Sequence, residues 1–401
     1  MSDPTASDLT SSDPTAVPAS PIDDAGDPAR VVFFEAYPHL YAGSHRAMQL
    51  QAGVLERTGH DVRVVTTAEG PLVDKLTASG VATEVVTPPG SLGRYGKVSA
   101  SGLGALFGAL AMPWYWLRLA RALRKLRPAV VHVNEHRGLL LALVPAKLAR
   151  AKVVWQLHSL QPYPRLTTIG EWAADLVMAP SAALVGEYAG LRHPERVVVV
   201  AGPPPEPDDP PVPVPSDHRV VSVARLHPDK GVDVLLRAMP AVREAVADAH
   251  LVLVGGEQAG WSEYADEMRA LIGDLGLVDA VELVDHVDDV LPYVRSARVY
   301  VQPSRLESQG LSVLEAMAMG RAVVASRTGG LVAAIEPGVT GELVPVDDAA
   351  ALAGALIRVL SEPGLAERLG EAATARLRAT DPWSAFASGL LAAYGRVLTD
   401  R

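Results

Sequence analysis

The chain contains no cysteine. Disulfide frameworks, thiolate zinc sites, iron–sulfur clusters and thiol nucleophiles are therefore excluded, which suits a reducing cytoplasm. An excess of positive charge is also missing: 36 Lys and Arg stand against 46 Asp and Glu, a formal net charge of -10. Broad neutralisation of phosphates needs the opposite balance, so no nucleic-acid partner is expected. The first 28 residues lack an apolar run and repeat "SDPTA" at 2–6 and 12–16. A secretory leader needs a basic start and an apolar middle, so this segment reads as a disordered tail.

What is present is a globular composition, 49% hydrophobic and 20% charged over 401 residues. That length is too great for one small core and predicts two domains. One stretch, "VSASGLGALFGALAMPWYWL" at 98–117, carries no charge. It is long enough in principle to span a bilayer, but three glycines, two serines and Pro113 weaken that reading. Arg118, Arg121, Arg124, Lys125 and Arg127 follow it as a basic flank. The alternatives are an ordinary core or acceptor-site helix, and a helix resting on an anionic membrane surface through Trp114, Trp116 and Arg118.

From Ala29 onward, β-branched runs such as "RVVFFEA", "DVRVVTT", "AVVHVNE" and "KVVWQLH" alternate with helical patterns. Continuous apolar runs predict strands buried on both faces, and intervening helices predict parallel crossovers, hence a doubly wound α/β domain over 29–202. "PPPEPDDPPVPVP" marks a semi-rigid linker over 203–217. The alternation restarts at "RVVSVARL" and runs to 380, giving a second doubly wound domain. Asp381-Pro382 is a helix-entry signal, and 381–401 reads as a closing helix with Phe386, Leu390 and Tyr394 on its apolar face. Ligands of such folds sit between domains, beyond the carboxyl ends of the strands.

Four segments meet that condition. In "VSVARLHPDKG", Arg225 and Lys230 follow a strand and precede a helix, well placed to grip a diphosphate unless they are merely solvated charges. In "PSRLESQGLSVLEAMAMGRAVVAS", Gly310 separates Glu307, in a loop, from Glu315, on a helix opening near Leu311. The amides at the start of that helix offer a seat for phosphate. Glu307 would accept from sugar hydroxyls and Glu315 from a ribose diol. Ser304 with Glu307, and Ser312 with Glu315, equally match the S-x-x-E capping box, so capping stands beside ligand binding. Gly43 follows the first strand, as a turn or a point of close approach to phosphate. His158 ends "KVVWQLH", facing a sugar hydroxyl or satisfied within the fold.

Together these segments resemble the retaining glycosyltransferases of family 4, which have the GT-B fold of two Rossmann-like domains around a cleft. The resemblance covers most of the chain beyond the tail. "SVARLHPDKGVDVLLRA" and the two glutamates separated by seven residues before "AMAMG" carry it most strongly, and "GHDVRVVT", "VVHVNEH", "QLHS" and "APSAAL" resemble the N-terminal elements. It implies that Arg225 and Lys230 bind the donor diphosphate, Glu307 the transferred sugar and Glu315 the ribose. It further implies that His158 contacts the sugar and that the amides of Ser308, Gln309, Gly310 and Leu311 meet sugar and phosphate. The donor implied is a UDP- or GDP-sugar, the acceptor a glycan, lipid-linked or small-molecule hydroxyl, and the location cytoplasmic or the inner membrane face. No cofactor is expected: no Asp-x-Asp follows a strand, and Arg225 and Lys230 stand where a metal ion would otherwise act.

The chain departs from the family pattern at Ser308-Gln309, where Gly-Phe is usual, and at Ala42, where a glycine precedes Gly43. Ala201-Gly202 replaces Asn-Gly, and Ala333 follows "GGLV" without the usual acidic residue. The departures at Ser308-Gln309 and Ala42 leave room for a silent nucleotide-sugar-binding partner subunit. A GT-B sugar-nucleotide epimerase would need a further acid/base cluster.

Overall fold

The computed structural model describes residues 28–39, 43–90, 103–158, 163–207, 212–257 and 261–399, with the backbone alone over 103–109. The expected disordered tail lies outside the described residues, as do 98–102 of the uncharged stretch and 208–211 of the linker.

Two parallel sheets organise the chain. The first holds β1 (Arg30–Glu35), β2 (Asp61–Thr66), β3 (Ala82–Val85), β4 (Val130–Asn134), β5 (Lys152–Gln156), β6 (Leu176–Ala179) and β7 (Val197–Val199), in the order β3-β2-β1-β4-β5-β6-β7. The second holds β8 (Arg219–Val223), β9 (His250–Val254), β10 (Val281–Val284), β11 (Val299–Gln302), β12 (Ala322–Ser326) and β13 (Glu342–Val344), in the order β10-β9-β8-β11-β12-β13. Both orders reverse beside their first strand, the switch point where doubly wound sheets bind ligands. The apolar runs are buried because helices cover both faces: Val32 and Phe34 pack against the helix Leu103–Leu126, while Val31 and Phe33 pack against the helix Gly43–Arg57.

The helix Pro382–Thr399 docks on the first domain. Asp381, at φ 40°, turns the chain and caps the helix by accepting from the Ser384 amide at 3.2 Å. Phe386, Leu390 and Tyr394 join the core formed by Phe33, Met48 and Val64, and Tyr394 OH lies 2.6 Å from His132 Nδ1. Burying each such side chain is worth about 1.5–3 kcal/mol, so this helix is a substantial tie between the halves. The linker is held to the second domain: fully buried Arg321 donates to the carbonyls of Val212 and Pro213, and Arg298 to that of Pro215 at 2.9 Å. Among the described residues no single helix is long and apolar enough to cross a membrane.

Candidate active site

Glu307 lies in the loop after β11, and Lys230 lies in the loop after β8, beside it in the sheet. Lys230 Nζ is 2.7 Å from Glu307 Oε2, and Ser304 Oγ donates to the same oxygen at 3.2 Å. Behind them runs a buried chain: Tyr300 OH donates to Gln302 Oε1 at 2.9 Å, and Gln302 Nε2 to Ser304 Oγ at 2.7 Å. Arg225 is exposed at the mouth of the cleft, within electrostatic reach of Glu307 and Asp229. Arg305, which sequence reasoning passed over, ties the two loops together. It pairs with both oxygens of Asp233, at 2.8 and 2.7 Å, and its amide donates to the Asp229 carbonyl at 2.8 Å. A bidentate guanidinium–carboxylate pair fixes geometry as well as energy, so Arg305 sets the spacing of Lys230 and Glu307.

The backbone of Glu307 is clamped from the other side. Gly330 N donates to its carbonyl at 3.1 Å, and a Cβ on Gly329, at φ 46°, would lie 1.7 Å from that oxygen. Only glycine fits there.

The helix Leu311–Ala318 begins at Gly310, in the left-handed region at φ 84°. No side chain caps it, so neither S-x-x-E box forms: Ser312 Oγ donates to Gln302 Oε1 at 3.2 Å, and Ser304 reaches Glu307 within the loop. The amides of Ser308, Gln309, Gly310 and Leu311 donate to no group among the described residues. They form the positive end of a helix facing the cleft. Glu315 is buried one turn further on and pairs with Arg46 of the facing domain. Burial holds the Glu315 carboxyl above the usual range, and Arg46 only partly offsets it. Arg46 was absent from the expected site. Its signal is a cation in the first turn of the helix Gly43–Arg57, where the helix dipole disfavours positive charge.

In the first domain, Gly43 opens that helix, and a Cβ on it would meet nothing within 4 Å. The expected close approach to phosphate is therefore sterically open there, though no protein contact demands a glycine. His158 follows β5, half-buried, with Nε2 3.2 Å from Asn134 Oδ1. Asn134 Nδ2 in turn donates to Glu35 Oε2 at 3.0 Å. Burial brings the His158 pKa down to about 4, with Glu35 opposing and His45 reinforcing. Burial raises the Glu35 pKa, but His45 and the donors from Tyr37 and Asn134 bring it below its ordinary value.

Two residues of the donor loop are engaged elsewhere, and one expectation, the exposure of Trp116, needs correction. At Gln309 the expectation concerned the backbone amide, and the side chain is spent between the domains: Oε1 accepts from Gly202 N at 3.1 Å and Nε2 donates to Gly202 O at 2.5 Å. Ser308 likewise presents its carbonyl to Ser181 Oγ, leaving only their amides for a ligand. Trp116 does not share the exposed face of Trp114, because it packs inward and donates to the Leu140 carbonyl at 3.2 Å. Trp114 is 57% exposed, with the Arg118 guanidinium 5.8 Å from its ring centre. Arg118 also reaches the Thr87 carbonyl at 3.2 Å.

The family model described as Glycosyl transferases group 1 matches residues 217–362, and that described as Glycosyltransferase Family 4 matches residues 41–204. A D-inositol 3-phosphate glycosyltransferase of Acidothermus cellulolyticus is 38% identical over 191 residues, 45% of this chain and 42% of its own. The lipopolysaccharide core biosynthesis mannosyltransferase LpcC of Rhizobium leguminosarum is 34% identical over 187 residues, 47% of this chain and 53% of its own. A phosphatidyl-myo-inositol mannosyltransferase of Mycobacterium leprae is 38% identical over 176 residues, 43% of this chain and 44% of its own. The chain thus spans about half the length of the curated relatives it matches. Among solved structures, Anabaena HepE in complex with UDP and glucose superimposes with a TM-score of 0.71 at 20% identity, covering 87% of this chain and 94% of that one. Sucrose-phosphate synthase from Thermosynechococcus elongatus does so with a TM-score of 0.71 at 21% identity, covering 93% and 100%. At such identities the likeness is one of fold: two parallel-sheet domains in the GT-B arrangement.

Proposed function

The chain belongs to the family 4, group 1 glycosyltransferases, and we propose that it moves a sugar from a UDP- or GDP-sugar to an acceptor hydroxyl with retention at the anomeric carbon. The observation that carries this reading is the convergence of Lys230, Glu307, Arg225 and four open amides at one end of the second sheet. Negative charge grows on the diphosphate as the anomeric C–O bond breaks. Prepositioned cations and helix amides stabilise that charge without reorganising. The acceptor oxygen bonds the anomeric carbon on the face the diphosphate leaves, and a donor phosphate oxygen takes its proton. Glu307, held through Oε2 by Lys230 and Ser304, orients the sugar, and Glu315 receives the ribose diol once Arg46 yields. Arg225 and Lys230 supply the charge compensation, so transfer without a divalent ion is part of the proposal.

The test is a panel of UDP-, GDP- and ADP-sugars, reading thermal shift together with slow donor hydrolysis. A shift with hydrolysis for one donor supports the reading, and the anomeric coupling of the transferred product tests retention. A shift without turnover would favour a silent binding subunit. No shift with any donor would sink the site assignment.

A second element of the proposal is a lipid-linked acceptor met at the cytoplasmic membrane surface. The helices Leu103–Leu126 and Pro164–Ala173 expose Leu110, Trp114, Leu117, Ile169 and Trp172, the last by 83%. Arg121 and Lys125 continue the first helix as an exposed basic face. An apolar face with a basic flank suits an anionic bilayer surface. Flotation with phosphatidylglycerol vesicles should carry the protein upward, and Trp114→Ala with Trp172→Ala should abolish it. Absence of binding by the unaltered protein would count against the lipid acceptor.

A further inference from the structure

We infer that Glu35 and Asn134 are positioning residues that lock His158 in the Nε2-protonated tautomer, so that its ring meets a ligand hydroxyl as an acceptor through Nδ1. Register brings the three together. β1, β4 and β5 are neighbours; Phe34 pairs with Val133 and Asn134 with Gln156, so Glu35 and Asn134 end adjacent strands and His158 lies just past the third.

The chemistry of the chain allows one arrangement of protons. Glu35 is buried, and its Oε1 accepts from Tyr37 N at 2.8 Å while its Oε2 accepts from Asn134. His45 Nε2 stands 3.8 Å from Oε2, a third group that favours the carboxylate form. A carboxylate can only accept, so Asn134 must turn its amide nitrogen toward Glu35. Its oxygen then faces His158 Nε2 at 3.2 Å. A carbonyl oxygen also only accepts, so Nε2 must carry the hydrogen. A neutral imidazole has one N–H, which leaves the lone pair on Nδ1. Burial keeps the ring neutral near pH 7, its pKa being about 4. The chain carries orientation from a fixed anion inside the fold to a ring at the cleft. Its ligand-facing consequence rests on the proposed function: a donor sugar must offer an O–H to Nδ1, and an analogue lacking that hydroxyl leaves the lone pair unmet.

The experiment is a long-range nitrogen–proton correlation spectrum of the full chain carrying nitrogen-15 histidine, with His158 assigned by its loss in His158→Asn. The expected pattern for the unaltered protein is an Nε2–H imidazole. Glu35→Gln presents either an amide or a carbonyl, so Asn134 can turn over and His158 should report a mixture of tautomers. Asn134→Ala should also release it. The double change Glu35→Gln/Asn134→Asp reverses the polarity of the first link but keeps an acceptor at 134, and should restore the Nε2–H form. In parallel, kcat/KM for donor hydrolysis should fall about tenfold in Glu35→Gln, one hydrogen bond's worth, and recover in the double variant. An Nδ1–H pattern in the unaltered protein would overturn the inference, as would an unmoved Nε2–H pattern in both single variants. The spectrum needs no turnover. A fixed tautomer in a protein that acts on no nucleotide sugar would therefore fail the proposed function while leaving the proton assignment standing.

Discussion

In the first domain Glu35 and Asn134 end adjacent strands and His158 follows a third, a chain of hydrogen bonds around one buried carboxylate. In the second, Arg225 follows one strand, and Gln302 ends another ahead of the loop bearing Glu307, where Glu307 pairs with Lys230. The strand orders are alike, so the difference lies in what each end must do. The first half holds a ring in one protonation state and excludes charge from it; the second holds charges ready to meet charge. The same α/β layout thus supports two electrostatic strategies, and the cleft is where they meet.

The sharpest way to break that comparison is to remove charge from the second half. Lys230→Ala or Glu307→Ala should lower kcat for transfer by roughly 10²–10³, the scale of losing one transition-state stabiliser, and should also lower thermal stability because each leaves a largely buried charge without its partner. Transfer and donor hydrolysis assays read it directly. A wild-type rate in Lys230→Ala would place the charge compensation elsewhere.

The next largest effect belongs to the first half and is one of stability. Burial lowers the pKa of His132 to about 3 and those of His136 and His158 to about 4, against 6.5 for an unperturbed ring. His158 adds to the shift at His132. All three lie in the first domain. Because the folded values are depressed, the unfolded chain takes up protons first as pH falls. Their contribution is whole above pH 6.5 and drains away toward pH 4, by about 1.4 kcal/mol per unit for each ring. Thermal unfolding from about pH 7.5 down to about 4.5 should show this slope, and His136→Gln should flatten it by one ring's share. A pH-independent midpoint would mean that these rings are not held neutral by the fold.

A smaller effect is expected where the halves touch. Arg46→Ala leaves buried Glu315 without its guanidinium, but the carboxyl is already held toward its protonated form. The cost should therefore fall below the roughly 3–5 kcal/mol of stranding a fully charged partner. Arg46→Ala/Glu315→Gln should recover part of it in a thermal melt, while equal losses in single and double variants would show that the pair does not couple the domains. The exposed Lys75–Asp288 pair, 2.9 Å long, also bridges the halves but should contribute at most about 1 kcal/mol.

These residues differ in how legible they were. The doubly wound domains were readable because strands buried on both faces must be apolar throughout, as "RVVFFE" and "HLVLV" are. Glu307, Glu315, Arg225 and Lys230 were readable because charges just beyond such runs, or inside an apolar helix, demand a reason. Arg305 and Arg46 were not, since an arginine in a loop or on a helix looks like a solvated charge until its partner 72 or 269 residues away is known. Glu35 and Asn134 carried a weak signal, being polar residues that close apolar strands. Their joint role depends on strand order, which composition and periodicity do not fix.

Gln309 sharpens the comparison most finely, because it belongs to the second domain but spends its side chain on Gly202, at the end of the first. Gln309→Ala removes two hydrogen bonds and leaves a buried peptide group unmet, a cost of about 1–3 kcal/mol. That energy is spent on holding the two strategies in register rather than on folding either domain. Hydrogen exchange at Gly202 should quicken while protection within each sheet stays as it was, and the donor KM should rise by about tenfold or less. Ser308→Gly/Gln309→Phe, which installs the residues the family more often has, should loosen Gly202 in the same way yet keep kcat, because the open amides remain. If exchange at Gly202 were unchanged in both variants, the halves would be held by the docked helix Pro382–Thr399 and the Arg46–Glu315 pair instead, and the departure at 308–309 would have no structural consequence.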